Sequence, residues 1–464
     1  IVIKVDDDGD NLASFGSSGK REFTHFFDPT SGTGDIELYG ITLDGAGNIL
    51  VSGSYYNGAN DDVLLARLTE SGSIDTSFDN DGYIVHRHPS ADHGQDIGMD
   101  VVMDGYGKIV VAGRLQGSSN TDPIAIQYDG DFDLATGSLD GDFDTDGILV
   151  DAFYDVGTEK INGLAMGADG SLHTAGTALQ AASDYDAITY KIDSDGSWSS
   201  EYANTALGTR ADDDLSSIAP GENDILYDVA VDYRGRVVAV GKTFDGTNNE
   251  AVIVRYNLDG SRDPNFGSGG IRVLPGNVGS NSARAVYLAP DGYIYVAGFI
   301  GNVTRGQAIW KLDMDGNMDT SFDGDGLYQG GNGSFEDLVV GRDGKIYLAG
   351  YIEGTSYYKR FTGVISTSAT SPSTGSIAES SDDDWYSSIE FDPDGKLTLA
   401  SYAYNGTTYD INVRKQEPVG GTGLSYTQST LATGGDNTLS LGSKIGMTLD
   451  AKGRVVVAGT KLNS

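Results

Sequence analysis

Apolar residues along this chain come in short runs of four to six, rich in Val and Ile, separated by clusters of Gly, Asp and Asn. No stretch keeps a 3.6-residue apolar period, so the pattern predicts strands and turns rather than helices. One phrase recurs: an Asp-Gly or similar turn, a β-branched run, then Ala-Gly or Ser-Gly. It runs from Asp44-Gly45 to Gly53, Asp104-Gly105 to Gly113, Asp169-Gly170 to Gly176, and Arg234-Gly235 to Gly241. It returns from Asp291-Gly292 to Gly298, Asp343-Gly344 to Gly350, Asp394-Gly395 to Ser401, and Lys452-Gly453 to Gly459. Gly53 to Gly459 is 406 residues in seven intervals, a mean period of 58, and eight such periods fill 464 residues. Each period offers four strand-like runs. In one repeat or another these are Asp100–Met103 before the turn, Lys108–Ala112 after it, the alternating Val252–Tyr256, and a run near a Phe such as Asp75–Phe78 continuing into Tyr83–Val85. Four short antiparallel strands per repeat describe a propeller blade. The expected fold is therefore all-β: a single eight-bladed β-propeller over residues 1–464. Ile1–Val5 corresponds to a third strand, while Gly459–Lys461 follows a second strand. One blade is thus expected to draw two strands from each end of the chain, which leaves no open sheet edge.

Composition narrows the chemistry. With 68 acidic and 30 basic residues the net charge is −38, which argues against a nucleic-acid partner. The absence of Cys excludes disulfides, thiolate metal sites and a cysteine nucleophile. The apolar runs are too short for a membrane-spanning helix, so no membrane insertion is expected. No basic segment followed by an apolar one opens the chain, so any signal peptide is expected to have been removed already. There is no Gly-x-Ser-x-Gly, His-Glu-x-x-His or phosphate-binding Gly-Lys-Ser/Thr motif.

The segments Val254-Arg255-Tyr256-Asn257, Asp259-Gly260-Ser261-Arg262-Asp263 and Asn265-Phe266-Gly267 resemble the delta-60 repeat proteins, a bacterial family of propeller repeats. Ala66-Arg67-Leu68, Gly72–Asp75 and Ser77-Phe78 follow the same pattern, which fades after Gly350, where Ser-Phe-Gly is missing and Ser401 replaces Gly. The resemblance implies a propeller of a secreted or surface protein, and no particular activity.

Several turns are unusually acidic. Asp142, Asp144 and Asp146 alternate before Gly147, and Asp79 with Asp81 and Asp323 with Asp325 occupy the same place in other repeats. Alternating carboxylates before a Gly suit calcium. The closing carboxylate is missing, however, with Phe153 at the twelfth position and Val150 at the ninth. Ordinary turns, in which Asp bonds its own backbone and tolerates left-handed geometry, are the competing and favoured expectation. Calcium is the one cofactor that these motifs suggest.

In a propeller the second-to-third and fourth-to-first connections share one face, where a glycan or protein ligand is expected to dock. Tyr56, Trp385 and Tyr404 are the candidate stacking residues there. Tyr351 and Tyr402, directly after the blade Gly or Ser, are expected to pack between blades. His86, His88 and His93 cluster within eight positions, and Arg284 falls near the start of a first strand with Lys160 and Lys444 in comparable places. A histidine base with an Arg neutralising a uronate would make a polysaccharide lyase or hydrolase. The leading expectation is instead an extracellular binding or scaffold module of a bacterial surface protein, without catalysis. A structural subunit of a surface filament or layer is a third.

Overall fold

The computed structural model describes residues 1–5, 11–23, 36–86, 94–103, 107–116, 121–128, 139–140, 148–150, 159–181, 184–195, 197, 199, 202, 210–213, 223–276, 279–301, 305–354, 358–367, 384–391, 395–404, 409–416, 426–430, 445–449 and 454–458. Every regular element among them is a strand. The chain divides into two compact units, Ile1–Asp155 with Glu390–Ser464, and Val156–Ile389.

In the first unit one four-stranded sheet joins the two ends of the sequence. Val2–Val5 pairs antiparallel with Val455–Ala458, flanked by Lys20–Arg21 on one side and Gly446–Leu449 on the other. Two strands thus come from each end, as the pattern of runs requires. Two sequential sheets follow: Ile36–Leu43, Ile49–Tyr56, Asp61–Leu68 and Tyr83–His86, then Ile97–Met103, Ile109–Gln116, Thr121–Tyr128 and Ile148–Val150. The strands Leu397–Tyr404, Tyr409–Gln416 and Tyr426–Thr430 also pair in this unit.

The second unit holds a sheet of Glu159–Met166, Leu172–Ala181, Asp184–Ile192 and Arg210–Asp213, and one of Ile225–Val231, Val237–Phe244, Asn249–Tyr256 and Ile271–Val273. A six-stranded sheet runs through Ser282–Leu288, Tyr293–Ile300, Gly306–Asp313, Leu327–Val340, Lys345–Glu353 and Tyr358–Ser366. Its long strand Leu327–Val340 does two jobs. Residues 327–332 pair with Gly306–Trp310, and residues 333–340 pair with Ile346–Ile352.

Apolar side chains fill the layers between successive sheets, not one common centre. Val238, Val240, Ile253, Val286, Ile294 and Trp310 make one such layer, while Leu50, Leu65, Val101, Val111 and Ile126 make another. Tyr351 and Tyr402 are buried, as their place beside the blade Gly or Ser predicted.

The runs through Asp75–Phe78 differ from expectation. They are turns, and the fourth strand starts only afterwards, at Tyr83. The signature residues there form a latch. The Arg255 guanidinium, fully buried on a third strand, donates from Nε to Asp263 Oδ2 at 2.9 Å and lies 4.5 Å from the Phe266 ring centroid. Arg67 with Asp75 at 2.8 Å and Phe78 at 4.8 Å repeats it, and Lys311 with Asp319 at 2.8 Å is a lysine version.

Candidate functional site

The most regular departure from ideal strand pairing sits on six of the first strands. A β-bulge interrupts the pairing between first and second strand at one equivalent register: Leu38/Gly40, Gly98/Asp100, Ile161/Gly163, Leu226/Asp228, Ala283/Ala285 and Phe335/Asp337. The extra residues are Tyr39, Met99, Asn162, Tyr227, Arg284 and Glu336. A bulge re-aims a side chain out of the strict in–out alternation. The Gly that closes each recurring phrase lies opposite. A Cβ on Gly53, Gly113, Gly241, Gly298 or Gly350 would overlap the carbonyl oxygen of Glu37, Ile97, Ile225, Ser282 or Ser334 on the facing first strand.

Around each bulge the environment is constant. The residue before it is buried in all six cases. The next residue is Gly, Ala or Asp, and the one after is Ile41, Val101, Leu164, Val229, Val286 or Leu338. The small or acidic residue holds the seam to the neighbouring first strand. Asp228 Oδ2 accepts from Val286 N, and Asp337 Oδ2 from Ile389 N, each at 2.9 Å. Where Gly replaces Asp, the backbones approach instead. A Cβ on Gly40 would stand 2.6 Å from Asp100 Cα.

The bulge residues themselves are varied and only partly covered; Met99 is openly exposed. In the second unit they meet each other. Arg284 lies over the Tyr227 ring at 4.6 Å, and its Nε is 4.0 Å from Glu336 Oε2. Phe299 is shared by two guanidiniums, Arg284 at 5.5 Å and Arg305 at 4.8 Å. Arg305 donates from Nη1 to the Tyr351 hydroxyl at 2.9 Å and faces Glu353 at 3.8 Å. Burial, reinforced by Glu336 and eased by Arg305, pushes the Tyr351 phenol up to about 12. Burial pulls Arg305 down, but Tyr351 and Glu353 together hold it above its ordinary value. All these groups lie where second strands end and first strands begin.

The chain contains repeats matching the Domain of unknown function (DUF5122) beta-propeller over residues 47–78, 235–266 and 289–322. This is a β-propeller repeat. No curated protein sequence matches the chain. Among solved structures, Sqt1 from Chaetomium thermophilum is similar at TM-score 0.51 and 12% identity, covering 92% of this chain and 97% of that one. The same protein bound to the N-terminus of the ribosomal protein L10 gives the same figures. These likenesses show the fold alone. Polysaccharide lyase Uly1 covers 100% of this chain and 99% of its own, but a TM-score of 0.42 at 8% identity carries no argument about activity.

The sequence candidates fall in scattered places on this propeller. Of the lyase set, Arg284 lies in the second unit. His86 is half-buried at the end of Tyr83–His86 in the first unit, paired across to Val63. His88 and His93 lie outside the described residues. Tyr56 is half-buried at the end of its strand, opposite Asp61. Trp385 and Tyr404 lie on the strands Asp384–Phe391 and Leu397–Tyr404.

Asp142, Asp144 and Asp146 are outside the described residues. Asp79 and Asp323 adopt left-handed φ of 48° and 49°, the place filled by Gly16 and Gly267 at 51° and 54°. Asp81 Oδ1 accepts from Tyr83 N at 3.2 Å and Asp325 Oδ1 from Leu327 N at 2.9 Å. Among the described residues no group of three or more His, Asp or Glu is placed to hold a metal ion.

The bulge residues other than Arg284 escaped the sequence reading. Their signal was the Gly inside each second strand, because an interior strand Gly marks a bulge or a close backbone approach.

Proposed function

We propose that this chain is an eight-bladed binding propeller, with Leu327–Val340 serving as the last strand of one blade and the first of the next. It reads its ligand through the bulge residues of the innermost strands. The carrying observation is that one register is bulged on six first strands, with constant neighbours and a varied side chain. Blades surround a central channel, and first strands of successive sheets touch within each unit. A position that the fold fixes in geometry but leaves free in chemistry is suited to recognition. An extracellular setting on a bacterial surface fits the acidic, cysteine-free composition. The lyase alternative would need a histidine base at Arg284; His86 belongs to the other unit, and His88 and His93 lie outside the described residues.

The test is retention on a panel of neutral and uronate polysaccharides and on immobilised surface proteins, read together with new unsaturated chain ends. Retention without new ends, weakened by Tyr39→Ala or Tyr227→Ala, is the expected result. New ends would replace binding with lyase chemistry.

A further inference from the structure

The Tyr227–Arg284–Phe299–Arg305 group in the second unit has a more definite chemistry. Two guanidiniums are held over aromatic rings, which costs them little further ordering when they bind. Each faces one carboxylate, Glu336 at 4.0 Å and Glu353 at 3.8 Å, beyond hydrogen-bond reach in both cases. Arg284 Nε is covered yet has no hydrogen-bond partner. An unsatisfied charged donor is costly, so an oxyanion that engages this guanidinium gains more than it would at a saturated one. The Arg284 and Arg305 side chains are 26% and 36% exposed, so both remain approachable.

We propose that this group is a carboxylate-binding site: a ligand carboxylate docks on Arg284, assisted by Arg305, and takes the place that Glu336 holds at a distance. This rests on the bulge-ring reading and adds the ligand chemistry. Glu336 and Glu353 set the charge of the guest. They leave the two cations nearly neutralised, so a compact monoanion is accepted and a dianion such as sulfate meets two carboxylates at close range. The net charge of −38 works against a long polyanion in the same way. A sugar acid and a chain-terminal carboxylate share the required group.

Saturation-transfer NMR on the full chain, at low ionic strength, tests the assignment with sodium acetate, glucuronate, N-acetylalanine and inorganic sulfate as separate probes. Acetate should show saturable transfer, reduced at least five-fold by Arg284→Gln and unchanged by Arg272→Gln on another strand of the same unit. Glu336→Gln, which keeps the side-chain shape and removes the competitor, should tighten acetate several-fold; this arm stands even if Arg284→Gln fails to fold. Stronger transfer to glucuronate than to N-acetylalanine would point to a sugar acid as the source, and the reverse to a chain terminus. The assignment is overturned if acetate shows no transfer, if Glu336→Gln weakens it, or if sulfate competes as well as acetate. Were acetate silent while Tyr227-dependent retention on a neutral polysaccharide persisted, the carboxylate site would fall and the bulge-ring reading would stand.

Discussion

The latch on the third strands and the bulge on the first strands are both repeated, yet they vary in opposite ways. At the latch the chemistry repeats: Arg67–Asp75–Phe78 and Arg255–Asp263–Phe266 make the same ion pair and the same ring contact. At the bulge the backbone repeats, while the side chain passes through Tyr, Met, Asn, Arg and Glu. A buried ion pair tolerates no substitution of one partner alone, because the other is left charged in a dry site. A half-open side chain on a fixed bulge carries no such penalty. The comparison separates residues that build the propeller from residues free to give it a partner.

Breaking the latch should have the largest effect. Asp263→Ala leaves the fully buried Arg255 without its carboxylate and should destabilise the chain by about 3–5 kcal/mol. Urea denaturation would measure it; a loss below about 1 kcal/mol would mean the latch is as weak as a surface ion pair.

A second repeated structural device is titratable. His173 is buried on its second strand with Nε2 3.0 Å from Ser171 Oγ, and that hydroxyl donates to Asp169 Oδ1 at 2.5 Å. Tyr295 and Tyr347 reach the corresponding turn residues Asp291 and Asp343 directly, at 2.9 and 2.8 Å. Burial, with a smaller contribution from Lys191, lowers the His173 imidazole to about 4. The unfolded chain therefore takes up this proton first as pH falls. Stability is retained above about 6.5 and lost between there and about 4, by up to about 3 kcal/mol. His173→Leu, matching Leu50 at the equivalent place, should flatten that part of the pH–stability curve. An unchanged slope would mean that the imidazole is charged when folded.

A smaller effect belongs to the seam between the two regions. Gly298→Ala drives a methyl into the Ser282 carbonyl opposite the Arg284 bulge, and should cost about 1–3 kcal/mol through backbone displacement. Thermal unfolding would show it. An unaltered midpoint would mean that the bulge yields and does not hold Arg284 in place.

Much of this architecture was legible in the sequence because turns and strand runs are local. The Asp-Gly turns, the alternation in Val252–Tyr256 and the contribution of both chain ends to one sheet all followed from spacing. Two of the acidic turns show a local backbone rule of the same kind: Asp79 and Asp323 hold the left-handed position that Gly fills at Gly16 and Gly267. The bulge residues were hidden for a physical reason. An inserted residue shifts register by one, so Tyr227 or Glu336 on an alternating strand reads as an ordinary in–out position until the facing Gly241 or Gly350 is taken into account. The Arg305–Phe299 contact joins a loop to a strand of the same hairpin, and no periodicity encodes it.

The most direct test of the central claim is the retention isotherm of Tyr227→Ala on whichever panel ligand the unaltered chain holds most strongly, with its circular dichroism unchanged. If the bulge register is the reading surface, retention falls at least ten-fold while the fold persists. Retention equal to that of the unaltered chain would contradict the account and move recognition elsewhere on the propeller.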